Sequence, residues 1–219
     1  MPEARRRAAV LISGRGSNLE ALIDACRHPA ASAEIALVVS DHADAAGLEH
    51  ARRAGIATEV ITDAKRDNFE QRLNTALERF DVQWVCLAGF MRILSRSQVE
   101  RWRDRLLNVH PSLLPAFRGL DTHRRALEAG VRFHGCTVHL VRAEIDAGPI
   151  IVQGVVPVLP EDDEKGLAAR VLALEHRCYP LALELVASGR ARVVDQRVVI
   201  EGAATAEASL LNPPSLGGT

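Results

Sequence analysis

The sequence predicts an α/β protein built on a doubly wound, mostly parallel sheet with an antiparallel C-terminal portion. Three observations carry this. Short apolar, β-branched runs alternate with amphipathic segments of roughly ten residues as far as position 110. The first run, Ala8-Ala9-Val10-Leu11-Ile12, is apolar throughout, as a strand covered on both faces must be. Beyond Pro111 the alternation gives way to two longer runs, over residues 136–141 and 149–158, that suit an antiparallel pair.

The elements follow in order. The first strand, residues 8–12, ends at Ser13-Gly14-Arg15-Gly16-Ser17-Asn18, and Leu19, Leu22, Ile23 and Cys26 then recur at helical spacing. A second strand covers residues 35–39, a helix over 45–54 stops at Gly55, and a short strand covers 58–61. The next helix, residues 67–80, lays Phe69, Leu73, Ala76 and Leu77 on one face. Trp84-Val85-Cys86-Leu87-Ala88 is the fourth strand, a helix spans 97–104, and Leu106-Leu107-Asn108-Val109-His110 is the fifth strand. Pro111 has no N–H to give to a ladder, so that strand must stop there.

A helix over residues 122–129 ends at Gly130. A long helix over 164–187 buries Leu167, Val171, Leu174, Cys178, Leu181 and Leu185, leaves Glu175 beside that face, and is expected to bend at Pro180. Residues 192–194 and 198–200 flank Asp195-Gln196 as a small hairpin. Residues 1–202 are expected to form one domain, and residues 203–219, rich in Ala, Ser, Pro and Gly, a mobile tail.

Composition narrows the function classes. The 219 residues are 47% apolar and 25% charged, as in an ordinary globular domain. A net charge of −1 and 4% aromatic residues give no reason to expect nucleic acid or an anionic membrane as partner. Cys26, Cys86, Cys136 and Cys178 form no C-x-x-C pair, so free thiols are expected, not bridges or a zinc site. The apolar run behind the basic start is too short for a secretory signal, and no run approaches a membrane span. The expected location is cytoplasmic.

Chemistry concentrates at strand mouths. Asn108 and His110 project to one face of the fifth strand, with Leu107 and Val109 on the other. An amide donor and an imidazole two residues apart can polarise a carbonyl and handle a proton. Downstream, Glu144-Ile145-Asp146-Ala147-Gly148-Pro149 places a carboxylate, Asp146, in a turn before an apolar strand, where it can orient an imidazole. The Ser-Gly-Arg-Gly-Ser-Asn turn reads as an anion cradle at a helix N-terminus. On local grounds Ser17 and Asn18 serve equally well as helix caps. Leu19 stands where a dinucleotide fingerprint needs Gly or Ala, and no Gly-Lys-Ser/Thr follows, so a monophosphate fits best. His123, His134 and His139 have no ligand spacing and read as structural or supporting residues, without a metal.

Four segments carry a resemblance. Leu-Ile-Ser-Gly-Arg-Gly-Ser-Asn-Leu from Leu11, Leu-Ala-Gly-Phe-Met-Arg-Ile-Leu from Leu87, Asn-Val-His-Pro-Ser-Leu-Leu-Pro from Asn108 and Asp-Ala-Gly-Pro-Ile-Ile from Asp146 resemble the glycinamide ribonucleotide formyltransferase family over roughly residues 8–195. The resemblance implies a Rossmann-like domain that moves a formyl group from 10-formyltetrahydrofolate to the amine of glycinamide ribonucleotide, in de novo purine synthesis. It implies catalytic roles for Asn108, His110 and Asp146. It assigns Gly16, Ser17, Asn18 and Glu175 to the ribonucleotide. Arg66, Met91, Arg92, Ile93, Leu94 and Asn108 fall to the folate cosubstrate, with the loop over residues 142–146. Without the family, Arg66 reads as a solvated charge at a helix start. The implied partners are small molecules, and the implied assembly a monomer or homodimer. A formylfolate hydrolase shares the three catalytic residue types but carries an extra N-terminal domain, for which a first strand beginning by Ala8 is expected to leave no room. Transfer to initiator tRNA would require a further basic domain. A phosphate-binding module without catalysis is the remaining alternative, and it would keep its ligand when His110 is lost.

Overall fold

The computed structural model describes residues 4–202 and 210–212. The main sheet takes seven strands in the order β3-β2-β1-β4-β5-β6-β7. They are β1 (Arg6–Ile12), β2 (Ala33–Ser40), β3 (Ala57–Val60), β4 (Trp84–Leu87), β5 (Leu106–His110), β6 (Phe133–Leu140) and β7 (Ile150–Pro157). The first five are mutually parallel, and β6 runs antiparallel to both β5 and β7. A hairpin of β8 (Ala191–Val194) and β9 (Arg197–Ile200) forms a second, two-stranded sheet.

Six helices cover the sheet among the described residues: α1 (Ser17–Cys26), α2 (Gly47–Arg53), α3 (Arg66–Arg79), α4 (Arg96–Arg101), α5 (Thr122–Glu128) and α6 (Glu164–Ala187). The continuous apolar run of β1 is explained by what lies on each side. Ala8, Val10 and Ile12 join one core with Leu19, Leu22, Val171 and Tyr179, whereas Ala9 and Leu11 join another with Phe69, Leu73 and Leu77. A side chain such as Phe69 or Leu73, 1% exposed, contributes ~1.5–3 kcal/mol through burial.

Several boundaries shift for identifiable reasons. α4 stops at Arg101 instead of continuing to residue 104, because Asp104 adopts a left-handed backbone (φ 60°) that no helix can include. In α6 the expected stripe holds at Leu167, Val171, Cys178 and Leu185, with Leu174 packed against the core, but not at Leu181. Leu181 is 51% exposed, and the buried line runs through Val171, Glu175, Tyr179 and Leu183. A step of four residues departs from one helix face by less than a step of three, so Glu175 falls within the buried stripe and not beside it. The helix runs uninterrupted through Pro180. In the region expected to be a mobile tail, residues 203–209 and 213–219 lie outside the described residues. Within 210–212, Asn212 is tied down, donating to the carbonyls of Arg132 (2.7 Å) and Val158 (3.0 Å) at the end of the β6–β7 pair.

The order of strands creates the crevice. From β1 the chain winds outward through β2 and β3, then returns to place β4 on the other flank of β1. Ligands of such sheets sit where the winding reverses, at the carboxyl ends of the strands. The loops after β1, β4 and β5 all open there.

Candidate active site

The β1–α1 turn is shaped by close backbone packing. Gly16 holds φ 77°, and a Cβ on it would lie 2.5 Å from the Gly47 Cα, so only glycine fits. Gly16 is also the N-cap of α1, without a side-chain cap bond. Ser17 and Asn18 are therefore not capping residues, and the first N–H groups of α1 are left without intrahelical partners. Asn18 turns inward, where its Nδ2 donates to Glu175 Oε2 at 2.7 Å. Asn18 Oδ1 is buried without a hydrogen bond among the described residues. Burial lifts the Glu175 pKa above its ordinary value, and the Asn18 bond opposes that only in part. The glycine turn with its free helix N–H groups and a buried acid thus adjoin each other, though 157 residues separate Asn18 from Glu175.

A cluster of polar side chains lies at the end of β5. Leu107 and Val109 enter the core, and Asn108 and His110 face the opposite side, as the alternation requires. Across the ladder, β6 sets His139 against Asn108 and Thr137 against His110. His139 Nδ1 lies 3.2 Å from the Leu140 carbonyl, which can only accept, so Nδ1 carries the hydrogen. Burial lowers the His139 pKa, which keeps the ring neutral and leaves Nε2 as an acceptor. Asn108 Nδ2 is 3.3 Å from that nitrogen and donates to it. The amide orientation is thereby fixed, with one N–H engaged and one remaining.

His110 is 6% exposed and has acceptors on both sides. Nε2 donates to the Phe117 carbonyl at 3.0 Å, and Nδ1 stands 3.4 Å from Asp146 Oδ2. Asp146 is held in turn by the Gly119 N–H, which donates to Oδ2 at 2.9 Å. Its backbone is left-handed (φ 51°), a conformation that aspartate tolerates better than most residues. Two residues on, a Cβ at Gly148 would sit 1.5 Å from the Leu140 carbonyl oxygen, so the turn can cross β6 only with glycine there. Asn108, His110 and Asp146 therefore do converge, as their spacing predicts. His139, read from sequence as merely structural or supporting, is in the cluster too, with Nε2 3.9 Å from Asp146 Oδ1. Its signal was alternation with Thr137 on β6, which acquires meaning only once the β5–β6 register is known. The Phe117 carbonyl had no sequence signal.

Next to His110, His134 and His123 pack edge to face with centroids 5.2 Å apart. Burial, then His123, depresses the His134 pKa to about 4, and burial lowers that of His123, so both are neutral packing residues beside the loop that carries Phe117. Among the described residues no group of three His, Cys, Asp or Glu could hold a metal ion.

The residues assigned by resemblance to the cosubstrate form the opposite wall. Met91 and Ile93 are 68% and 69% exposed, whereas Leu94 packs against the core. Met91 N–H donates to Ser13 Oγ at 2.9 Å, joining the β4 loop to the β1 loop across the crevice. Arg92 lies over the Phe69 ring at 4.3 Å and donates to the Ala64 carbonyl. Arg66 is the first residue of α3 and is exposed. In the 142–146 loop, Arg142 pairs with Asp104 at 2.5 Å and Glu144 with Arg118 at 2.7 Å.

Comparison with known proteins agrees with this geometry. Residues 6–183 match the family described as formyl transferase. Phosphoribosylglycinamide formyltransferase of Escherichia coli is 45% identical over 196 residues, covering 88% of this chain and 92% of that protein. The trifunctional purine biosynthetic protein adenosine-3 of Gallus gallus is 52% identical over 190 residues, which are 85% of this chain and 19% of that protein. The chain thus spans about a fifth of the length of that relative. The crystal structure of glycinamide ribonucleotide transformylase 1 from Symbiobacterium toebii superposes with a TM-score of 0.86 at 47% identity, over 90% of this chain and 94% of that one. With an amide, an imidazole and a carboxylate gathered beside a glycine turn on the same fold, the chain belongs to the phosphoribosylglycinamide formyltransferase family.

Proposed function

We propose that this protein transfers the formyl group of 10-formyltetrahydrofolate to the amine of glycinamide ribonucleotide, giving formyl-glycinamide ribonucleotide and tetrahydrofolate in purine biosynthesis. The observation that carries this reading is the convergence of Asn108, His110 and Asp146 at one strand mouth beside the Gly16 turn. Gly16, Ser17 and Asn18 cradle the phosphate with the free N–H groups of α1, and Glu175 meets the ribose or glycinamide portion. Arg66, Met91, Arg92, Ile93, Leu94 and the 142–146 loop receive the folate.

The neutral amine attacks the formyl carbon, and negative charge grows on the formyl oxygen. The second N–H of Asn108 donates to that oxygen. Nε2 of His110 is engaged with Phe117, so a second proton on the ring sits at Nδ1, where it can reach the oxygen while Asp146 balances its charge. Each such donor is worth roughly a hundred- to a thousand-fold in rate. The proton shed by the amine goes to the departing folate nitrogen, and the His110–Asp146 pair is available to carry it. The reading includes a cytoplasmic location and small-molecule partners. No described helix is long and apolar enough to cross a membrane.

Purified protein, the ribonucleotide and the formylfolate, followed by folate absorbance, test this directly. Tetrahydrofolate should form only when both substrates are present. Folate consumed without the ribonucleotide would make the protein a hydrolase instead.

A further inference from the structure

The cosubstrate wall is held by a buried carboxylate that the chemistry above does not use. Glu70 lies in α3, one turn beyond Arg66, and is 8% exposed. Both of its oxygens are taken by one residue. Oε1 accepts from the Ser95 backbone N–H at 2.6 Å, and Oε2 accepts from the Ser95 hydroxyl at 2.5 Å. Ser95 also caps α4, its Oγ accepting from the Gln98 N–H at 3.1 Å. Desolvating a carboxylate is unfavourable, and two charge-assisted hydrogen bonds are the usual compensation.

These bonds grip the far end of the loop that carries Met91, Arg92, Ile93 and Leu94. Met91 and Ile93 are mostly exposed, while Phe90 and Leu94 pack against the core, so the loop is anchored at intervals and not along its whole length. Hydrogen bonds hold its two ends, to Ser13 at Met91 and to Glu70 at Ser95. The residue before Glu70, Phe69, supports the same loop by stacking on Phe90 (centroids 5.8 Å apart) and lying under Arg92. Arg66 and Glu70 are four apart on one helix, hence on one face of it. The loop and the first turn of α3, which carries Arg66, are thereby tied to each other.

We propose that Glu70 is a positioning residue for the formyl donor: through Ser95 it sets the loop against Arg66 and so fixes how the folate is held, without touching it. This rests on the reading that the loop lines the folate site. Steady-state kinetics with each substrate varied, on Glu70→Ala, Ser95→Ala and the double variant, test it, with ribonucleotide affinity measured by calorimetry. The KM for 10-formyltetrahydrofolate should rise about tenfold in each single variant, with saturated kcat and ribonucleotide affinity within about twofold. The double variant should be no worse than the poorer single one, since both remove the same link. Glu70→Gln keeps an oxygen for the Ser95 N–H and should recover most of the loss. An unchanged donor KM, or a rise shared equally by both substrates, overturns the role. Should Glu70→Ala fail to fold, Ser95→Ala carries the same expectation at a less buried position. Ile93→Ala separates the two levels. If it leaves the donor KM unchanged, the loop is not part of the donor site and both readings fall. If it raises that KM while Glu70→Ala does not, the positioning role alone falls.

Discussion

Glu175 and Glu70 are both buried acids, one on each wall of the crevice, and they are bonded in opposite ways. Glu70 has a donor for each oxygen, both from Ser95. Glu175 has the single bond from Asn18 at Oε2, and burial lifts its pKa. A buried carboxylate with a donor on each oxygen is already compensated for its burial and acts as a structural tie. An under-bonded one retains hydrogen-bonding capacity beside an unfilled polar atom, here Asn18 Oδ1. Burial is common to both acids, and the number of donors they meet is what separates them.

That contrast can be broken or sharpened experimentally. The largest effect belongs to the centre that both walls serve. Asn108→Ala should lower kcat by roughly a hundred- to a thousand-fold while ribonucleotide affinity holds, because the lost donor acts on charge present only in the transition state. Near-normal turnover would remove Asn108 from the oxyanion site. Next comes the phosphate wall. Replacing Ser17 and Asn18 together by Ala should weaken ribonucleotide binding by about tenfold or more in calorimetry, with the formylfolate much less affected. Equal losses for the two ligands would erase the division into two walls.

The smallest effect concerns stability and pH. Between the ordinary Glu175 pKa of 4.5 and its raised value, the folded protein holds a proton that the unfolded chain has released. The folded state binds more protons there, so stability declines as pH rises through that interval. Glu175→Gln should remove this loss. The variant should melt above the parent at pH 7, with a gap that closes as pH falls to 4.5. A gap of constant size would mean that burial of the ionised form is not responsible.

Much of this was legible before any coordinates. Asn108 and His110 share a face because strand side chains alternate, and Pro111 ends the strand for want of an N–H. The hairpin around Asp195-Gln196 follows from its local residues, both of which have positive φ (47° and 62°). The four motifs pointed to the chemistry. Other features depended on partners far along the chain. Periodicity alone places Glu175 beside the α6 stripe, whereas the choice between steps of three and four depends on what packs against the helix. His139 gained its place from the β5–β6 register, and the Ser95–Glu70 tie joins residues 25 apart.

By itself the sequence determined the alternating elements, the strand that ends in Asn108 and His110, and the glycine turn, because periodicity and backbone sterics act over a few residues. Only the tertiary structure decided which acid is bonded twice and which once, that His110 Nε2 donates to the Phe117 carbonyl, and that His139 fixes the Asn108 amide. Hydrogen bonds are satisfied in space, by groups whose proximity no local pattern encodes.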